Sequence, residues 1–249
     1  SGRFNTIKKL WWRLLAWKAE RVLTVSEFSA EDIAGVLSVP EEKIDVVYNG
    51  CDEGFLKADK ESVEAVMNKH HINAKDYILY TGNFLPHKNV TRIVNAYAEL
   101  PSDLRASCML VMAGGGGGRV ILEERIEALG LKDNIVFTGE IGDDDLHCLY
   151  SGADILLLPS LYEGFGLPAI EAMRCGTAVI ASQGTALEEV VGEAGLLIDP
   201  YSTESIADGI KRLLSDKQFR KKLEQKGIER SHEFSFQNTA NDIAAIFQV

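Results

Sequence analysis

No Cys-x-x-Cys pair occurs in this chain. Its four cysteines, Cys51, Cys108, Cys148 and Cys175, stand far apart, which removes thiol-clamped zinc sites and dithiol redox motifs from consideration. Cys108 and Cys175 fall in apolar patterns and read as core thiols of a reducing compartment. Positive charge is also scarce: 26 Lys and Arg against 37 Asp and Glu leave a net charge of −11. General nucleic-acid binding needs a basic face, so no nucleic-acid partner is expected. The acids spread along the chain and read as a solvated surface. Neither a secretory signal pattern nor an apolar run long enough to span a bilayer is seen, so a cytoplasmic location is expected. There is no internal repeat, and no low-complexity tract beyond 114–118. Ser1-Gly2, with no initiator Met, reads as the remnant of a removed tag.

What is present is ordinary for a globular protein. Of 249 residues, 46% are hydrophobic and 25% charged, enough for one large or two small domains. The stretch 4–21 is helical in pattern and carries Trp11, Trp12 and Trp17 among basic residues. Phe4, Ile7, Trp11 and Leu14 sit at helical spacing and read as a face packed on the protein itself. Aromatic plus basic residues on one helix also suit a membrane surface, or contact with a further domain. A short strand at 22–25, a helix capped by Ser26 or Ser29 and running to Leu37, and a strand at 44–48 follow. The polar stretch 52–59 is the candidate linker.

From residue 61 the alternation is regular. Strands are expected at 77–81, 109–113, 135–138, 155–158, 178–181 and 195–198, with helices at 61–70, 89–100, 119–129, 143–150, 166–175 and 187–191 between them. Helices at 202–215, 217–231 and 236–247 close the chain. Such alternation predicts an α/β fold with a doubly wound parallel sheet, whose ligands sit at the carboxyl ends of the strands.

Three strand-end turns carry the chemistry. In the first, 81–89, Gly82 lets backbone approach a ligand and Lys88 can deliver an ammonium to a phosphate; a plain surface lysine is the other reading. His87 reads as a turn residue rather than a base. In the second, Gly114 to Gly118 open a helix as phosphate-cradling turns do, yet no acid ends the following strand, so a dinucleotide fingerprint is not met. A flexible loop near the ligand or a long turn both fit. The third turn, 159–167, delivers free backbone N–H groups at a helix start, which is an anion site. Glu163 and Glu171 flank it, and acids beside a phosphate should face something neutral with hydroxyls, such as a sugar. Glu171 lies about 7 Å along the helix axis from Gly166. That offset suits a ribose one group beyond a phosphate, and its carboxylate can accept from two adjacent hydroxyls. Asp143-Asp144-Asp145 reads as N-capping and dipole pairing at a helix start rather than as a metal motif; no metal site is expected.

Glu163 and Glu171, separated by seven residues within EGFGLPAIEAM, resemble the paired acids of the family-4 retaining glycosyltransferases, which have the GT-B fold. TVSEFSAEDI, VVYNGCDEGF, TGNFLPHKN, NIVFTGEI and LEEVVGEAGLLIDP extend the likeness over nearly the whole chain. The resemblance implies the donor half of a GT-B fold: a Rossmann-like nucleotide-sugar-binding domain over 53–231, a remnant of the acceptor-side domain and linker over 1–52, and a crossover helix over 232–249. It implies that Glu171 binds the nucleotide ribose and Glu163 the transferred sugar. It further implies that Lys88 and the backbone of Phe165, Gly166 and Leu167 hold the diphosphate, that backbone from Phe137 through Gly139 to Ile141 holds the base, and that Gly82, Asn83, Gly114 and Gly164 complete the donor-binding set. Glu163 and Lys88 are the catalytic candidates. Many relatives of this kind carry Arg where Asn83 stands, so diphosphate binding leans on Lys88.

The implied reaction is transfer of a sugar from a nucleotide diphosphate donor to an acceptor hydroxyl with retention. No cofactor is implied beyond the nucleotide-sugar co-substrate. Lys88 and two amides, at roughly 1.5–3 kcal/mol each, supply about 5–8 kcal/mol, a micromolar to sub-millimolar donor site. The wording of the motifs is similar to bacterial mannosyltransferases of surface polysaccharide assembly, which favours GDP-mannose over a UDP-sugar. Expected partners are a glycan or lipid-linked acceptor, an N-terminal acceptor domain absent from this chain, and peripheral contact with the inner membrane face through 4–21. Competing readings are a non-catalytic nucleotide-sugar-binding module or subunit of a split enzyme, a nucleotide-sugar epimerase and, for want of the fingerprint only weakly, a nicotinamide dehydrogenase.

Overall fold

Apolar runs of four to six residues become strands here because both of their faces are covered. A computed structural model describes residues 2–247, and the side chains of 8–247; the tag reading of Ser1 and the side chains of Phe4 and Ile7 lie outside the described residues. The chain begins with α1 (Gly2–Lys18), β1 (Val22–Thr24), α2 (Glu27–Leu37) and β2 (Ile44–Val46). β1 and β2 pair in parallel as a separate two-stranded sheet.

The larger unit runs through α3 (Lys60–Lys69), β3 (Asp76–Thr81), α4 (Val90–Ala98), α5 (Ser102–Ser107), β4 (Cys108–Ala113) and α6 (Arg119–Ala128). It continues with β5 (Ile135–Gly139), α7 (Asp143–Gly152), β6 (Ile155–Leu158), α8 (Leu167–Arg174), β7 (Ala178–Ser182), α9 (Ala186–Val191) and β8 (Gly195–Ile198). Helices α10 (Thr203–Ser215), α11 (Lys217–Ser231) and α12 (Phe236–Phe247) follow. All six strands are parallel, in the order β5-β4-β3-β6-β7-β8. This is the doubly wound α/β sheet expected from the sequence. Alternate residues of one strand serve opposite faces: Ile78 and Tyr80 enter the core with α4, α6 and α10, whereas Tyr77 and Leu79 enter the core with α7, α8 and α9. The chain reverses direction across the sheet between β3 and β6, so the switch-point crevice opens between the turns after those two strands.

Several expectations needed correction. The short helix α5 was not foreseen. The acids at 143–145 do not cap α7: Gly142 occupies the N-cap position without a side-chain bond. Asp145 instead reaches α3, accepting from Lys69 at 2.8 Å and sitting 2.6 Å from His70 Nε2, and those partners hold its carboxyl below the usual range. The packed face expected on α1 is not formed by Trp11 and Leu14, which are 62% and 50% exposed; Ala16 is buried instead. α1 is tied down by Arg13 donating to Ser38 and by Lys43 donating to the carbonyls of Ala16 and Trp17. Among the described residues no helix is long and apolar enough to cross a membrane.

The polar stretch after β2 is strapped to the larger unit. Cys51 N–H donates to the Phe234 carbonyl, and Arg174 donates to the carbonyls of Cys51 and Asp52. α12 starts against the same stretch. A Cβ on Gly50 would lie 2.4 Å from Phe236 N, and Thr239 donates to the Tyr48 carbonyl at 2.8 Å. Phe236 and Phe247 of this helix are exposed.

Candidate functional site

The turns after β3, β4 and β5 are stitched into one floor by backbone. Gly82 N–H donates to the Ala113 carbonyl at 3.0 Å, Phe84 N–H to Gly115 at 3.0 Å, and Gly114 N–H to Gly139 at 2.8 Å. Only glycine fits at Gly114: its φ is +126° and a Cβ there would lie 2.0 Å from the Gly82 carbonyl oxygen. A Cβ on Gly118 would meet the Phe84 carbonyl at 2.4 Å. The glycine run is therefore packed at both ends, not a loose loop. Asn83 carbonyl accepts from the Tyr80 hydroxyl and its side-chain oxygen accepts from Leu85 N–H, so this side chain braces its own turn. Phe137 sets its ring edge-on to Phe84, with the Arg119 guanidinium 4.9 Å from the ring centre.

A second set of bonds joins the β3 turn to the β6 turn across the switch point. Leu161 N–H donates to the His87 carbonyl at 2.7 Å. Asn89, buried and left-handed at φ +60°, gives its amide hydrogens to the carbonyls of Pro159 and Pro200 at 2.9 and 2.7 Å. This residue escaped the sequence reading. An Asn opening a helix looks like a cap, yet its side chain makes no cap bond here.

The joined turns bring Lys88 and Glu163 together. Lys88 Nζ donates to Glu163 Oε1 at 2.5 Å, and the fully buried Ser160 donates to the same oxygen at 2.8 Å. Both side chains of the pair are largely buried, at 20% and 17% exposure, so solvent screens them less than a surface pair. Beside them the chain turns into α8 through Gly166, at φ +119°, where a Cβ would lie 2.5 Å from Leu187 Cδ2. Pro168 has no N–H, and no carbonyl among the described residues accepts from the amides of Phe165, Gly166 or Leu167. Unpaired amides at the start of a helix are donors of the kind that can hold an anion.

Glu171 lies farther along α8 and is not in contact with the ion pair. Its Oε2 accepts from the Tyr150 hydroxyl at 2.9 Å, and that hydroxyl lies 3.3 Å from Thr81 Oγ1. Burial raises the Glu171 carboxyl above its ordinary range, against the lowering effect of the Tyr150 bond; Asp143 and Asp52 add to the rise. Tyr150, wholly buried in α7, is a site residue the sequence reading missed. Its own hydroxyl is driven far above the usual phenol range by burial and by the Glu171 charge. The rim thus holds a cation paired to one acid, free amides, and a second acid poised on a phenol.

Both the sequence and the fold have known relatives. Residues 62–230 match the family described as Glycosyl transferases group 1, and residues 1–55 match Glycosyltransferase Family 4. An O-antigen chain mannosyltransferase B of Escherichia coli is 33% identical over 221 residues, which is 88% of this chain and 58% of the relative. The sucrose-phosphate synthase of Thermosynechococcus elongatus is 27% identical with a TM-score of 0.82, covering 95% of this chain and 59% of that one. The C-terminal domain of a glycosyl transferase group 1 family protein from Francisella tularensis is 30% identical with a TM-score of 0.63, covering 71% of this chain and 93% of that one. The chain thus spans about three-fifths of the length of the mannosyltransferase it matches. With that family's pattern running through the sheet and rim just described, the chain belongs to the glycosyl transferases group 1 family and has the sheet of the GT-B glycosyltransferases.

Proposed function

We propose that this chain carries the donor site of a retaining hexosyltransferase that moves a sugar from a nucleotide diphosphate donor to an acceptor hydroxyl in surface polysaccharide synthesis. The observation that carries the reading is the Lys88–Glu163 pair, 2.5 Å apart at the switch point, beside the unbonded amides of Phe165 to Leu167. In a nucleotide sugar the anomeric carbon is bonded directly to the diphosphate. A cation for the phosphate and an acid for the sugar hydroxyls therefore have to be neighbours. When the donor enters, the Lys88 ammonium turns to the diphosphate and Glu163 is released to accept from the sugar. As the anomeric C–O bond breaks, negative charge grows on the leaving diphosphate, and fixed donors aimed at that charge lower the barrier. Glu171, one stretch of helix farther, takes the ribose hydroxyls, and backbone from Phe137 to Ile141 borders the base. Mannose, supplied as GDP-mannose, is the favoured donor sugar, on the strength of the likeness to the Escherichia coli mannosyltransferase. The acceptor, a glycan or lipid-linked glycan at the cytoplasmic membrane face, falls to the part of such relatives that this chain does not match.

A thermal-shift panel of GDP, UDP, GDP-mannose and UDP-glucose ranks base and sugar directly, because stabilisation follows RT ln(1 + [L]/Kd). GDP-mannose is expected to shift the midpoint most, and no shift with any of the four defeats the reading. In calorimetry, Glu171→Ala is expected to weaken the nucleoside diphosphate, whereas Glu163→Ala spares it and weakens the nucleotide sugar. Equal losses contradict the assigned roles. A second reading is a nucleotide-sugar-binding module, or one subunit of a split enzyme, that binds the donor without transferring its sugar unaided. Donor hydrolysis and transfer, measured with and without an added acceptor-side domain, separate the two.

A further inference from the structure

Every free amide in the first turn of α2 is taken, two of them by the larger unit. Ser26, wholly buried, caps the helix by accepting from Ser29 N–H at 3.0 Å. Glu189 of α9 accepts from the amides of Glu27 and Phe28 at 2.9 and 3.0 Å. Farther along, Tyr162 donates to Asp32 and packs its ring 5.5 Å from that of Phe28. From this anchored turn two hydroxyls converge on one acceptor. Ser26 Oγ lies 2.7 Å and Ser29 Oγ 3.1 Å from the carbonyl oxygen of Gly164.

That carbonyl belongs to the peptide joining Gly164 to Phe165, next to Glu163. In a trans peptide the carbonyl and the N–H point to opposite sides of the chain. Holding the carbonyl toward α2 therefore turns the Phe165 N–H away from α2. The Phe165 ring is fixed independently against Tyr48 and Phe234. One of the two torsions that turn this peptide belongs to Gly164, so the chain itself resists its rotation less than a residue with a side chain would. Hydroxyl donation to the carbonyl also polarises the peptide and strengthens its N–H as a donor.

We propose that Ser26 and Ser29 are positioning residues of the donor site: they clamp the Gly164–Phe165 peptide so that the Phe165 N–H faces the donor's diphosphate. The proposal rests on the reading that the diphosphate binds at this turn. It makes α2, outside the segment that matches the group 1 family, a determinant of donor affinity.

Ser29→Ala is the cleaner probe, because the cap on α2 is Ser26. Affinities for GDP and UDP, and for guanosine and uridine, are measured by calorimetry. Ser29→Ala is expected to weaken the diphosphates roughly three- to tenfold, to leave the nucleosides unchanged, and to be restored by Ser29→Thr. In ligand-free protein the Phe165 amide resonance, read by nitrogen-15 NMR, is expected to move upfield in Ser29→Ala and to return in Ser29→Thr. Ser26→Ala with Ser29→Ala is expected to lose more diphosphate affinity and to melt earlier, since the cap is gone. Unchanged diphosphate affinity, an equal loss of nucleoside, or an unmoved Phe165 resonance overturns the proposal while leaving the donor reading intact. A loss confined to GDP-mannose and UDP-glucose, with GDP and UDP unaffected, overturns the assignment to diphosphate. Wild-type protein that binds neither GDP nor UDP overturns both.

Discussion

The rim of the larger sheet and the helix α1 differ in who their polar and apolar groups answer to. On the rim, most carbonyls and charged side chains are matched within the chain, the amides of Phe165 to Leu167 excepted, and Gly114, Gly118 and Gly166 stand where a Cβ would collide. On α1, Trp11, Trp12 and Trp17 are 62%, 59% and 76% exposed, beside Arg13 and Lys18. Several large apolar side chains exposed together signal a contact rather than a core. The contrast teaches that an amphipathic pattern in sequence says a face is covered, but not by what. The reading of α1 as packed on its own chain failed at Trp11 and Leu14 for that reason.

The sharpest way to break the contrast is Gly114→Ala. A methyl group 2.0 Å from the Gly82 carbonyl, on backbone at φ +126°, is expected to cost more than about 3 kcal/mol, read by chemical denaturation. A stable, fully folded variant would mean that the rim is softer than its contacts imply. Next comes Lys88→Ala. It removes a charge-assisted contact of about 1.5–3 kcal/mol, so nucleoside diphosphate affinity should fall about tenfold to a hundredfold while nucleoside affinity holds in calorimetry.

A smaller effect concerns pH. Because the folded carboxyl of Glu171 is raised by burial, its contribution to stability is full below the ordinary glutamate range and is lost as pH rises through the folded value. Hydroxyls donating to Glu171 favour the ionised form. Donor affinity should therefore weaken as pH falls through that raised value, and Glu171→Gln should flatten the slope in a calorimetric pH series. The smallest effect is expected on α1, where Trp17→Gln should change unfolding free energy by no more than about 0.5 kcal/mol. A larger loss would show that the Trp17 ring itself packs on this chain.

Much of the fold was legible because buried parallel strands are written as unbroken apolar runs, such as Ile155 to Leu158, and because glycine marks the turns. α5 was not, since Ser102 to Ser107 carry too little apolar periodicity to announce a helix. Within the site, the two acids and the lysine could be picked out by type and by position after strands. Their pairing could not: Lys88 and Glu163 lie 75 residues apart, Ser26 and Gly164 138 apart. Tyr150 and Asn89 were invisible for the same reason, as their partners are defined only once the sheet has closed. A tyrosine ending a helix has no local mark that separates a core ring from one whose hydroxyl holds a carboxylate.

The floor laid by Gly82, Gly114 and Gly139 has a consequence for how such a pocket changes over evolutionary time. A Cβ at Gly114 would strike the Gly82 carbonyl and all three glycines have positive φ, so point substitution there strains the floor rather than retunes it. Any drift in which base or sugar is accepted has to be written by the flanking residues, Asn83, Phe137 and Arg119 among them. On the donor-site reading, change in preference is confined to the border of the floor and not to the floor itself.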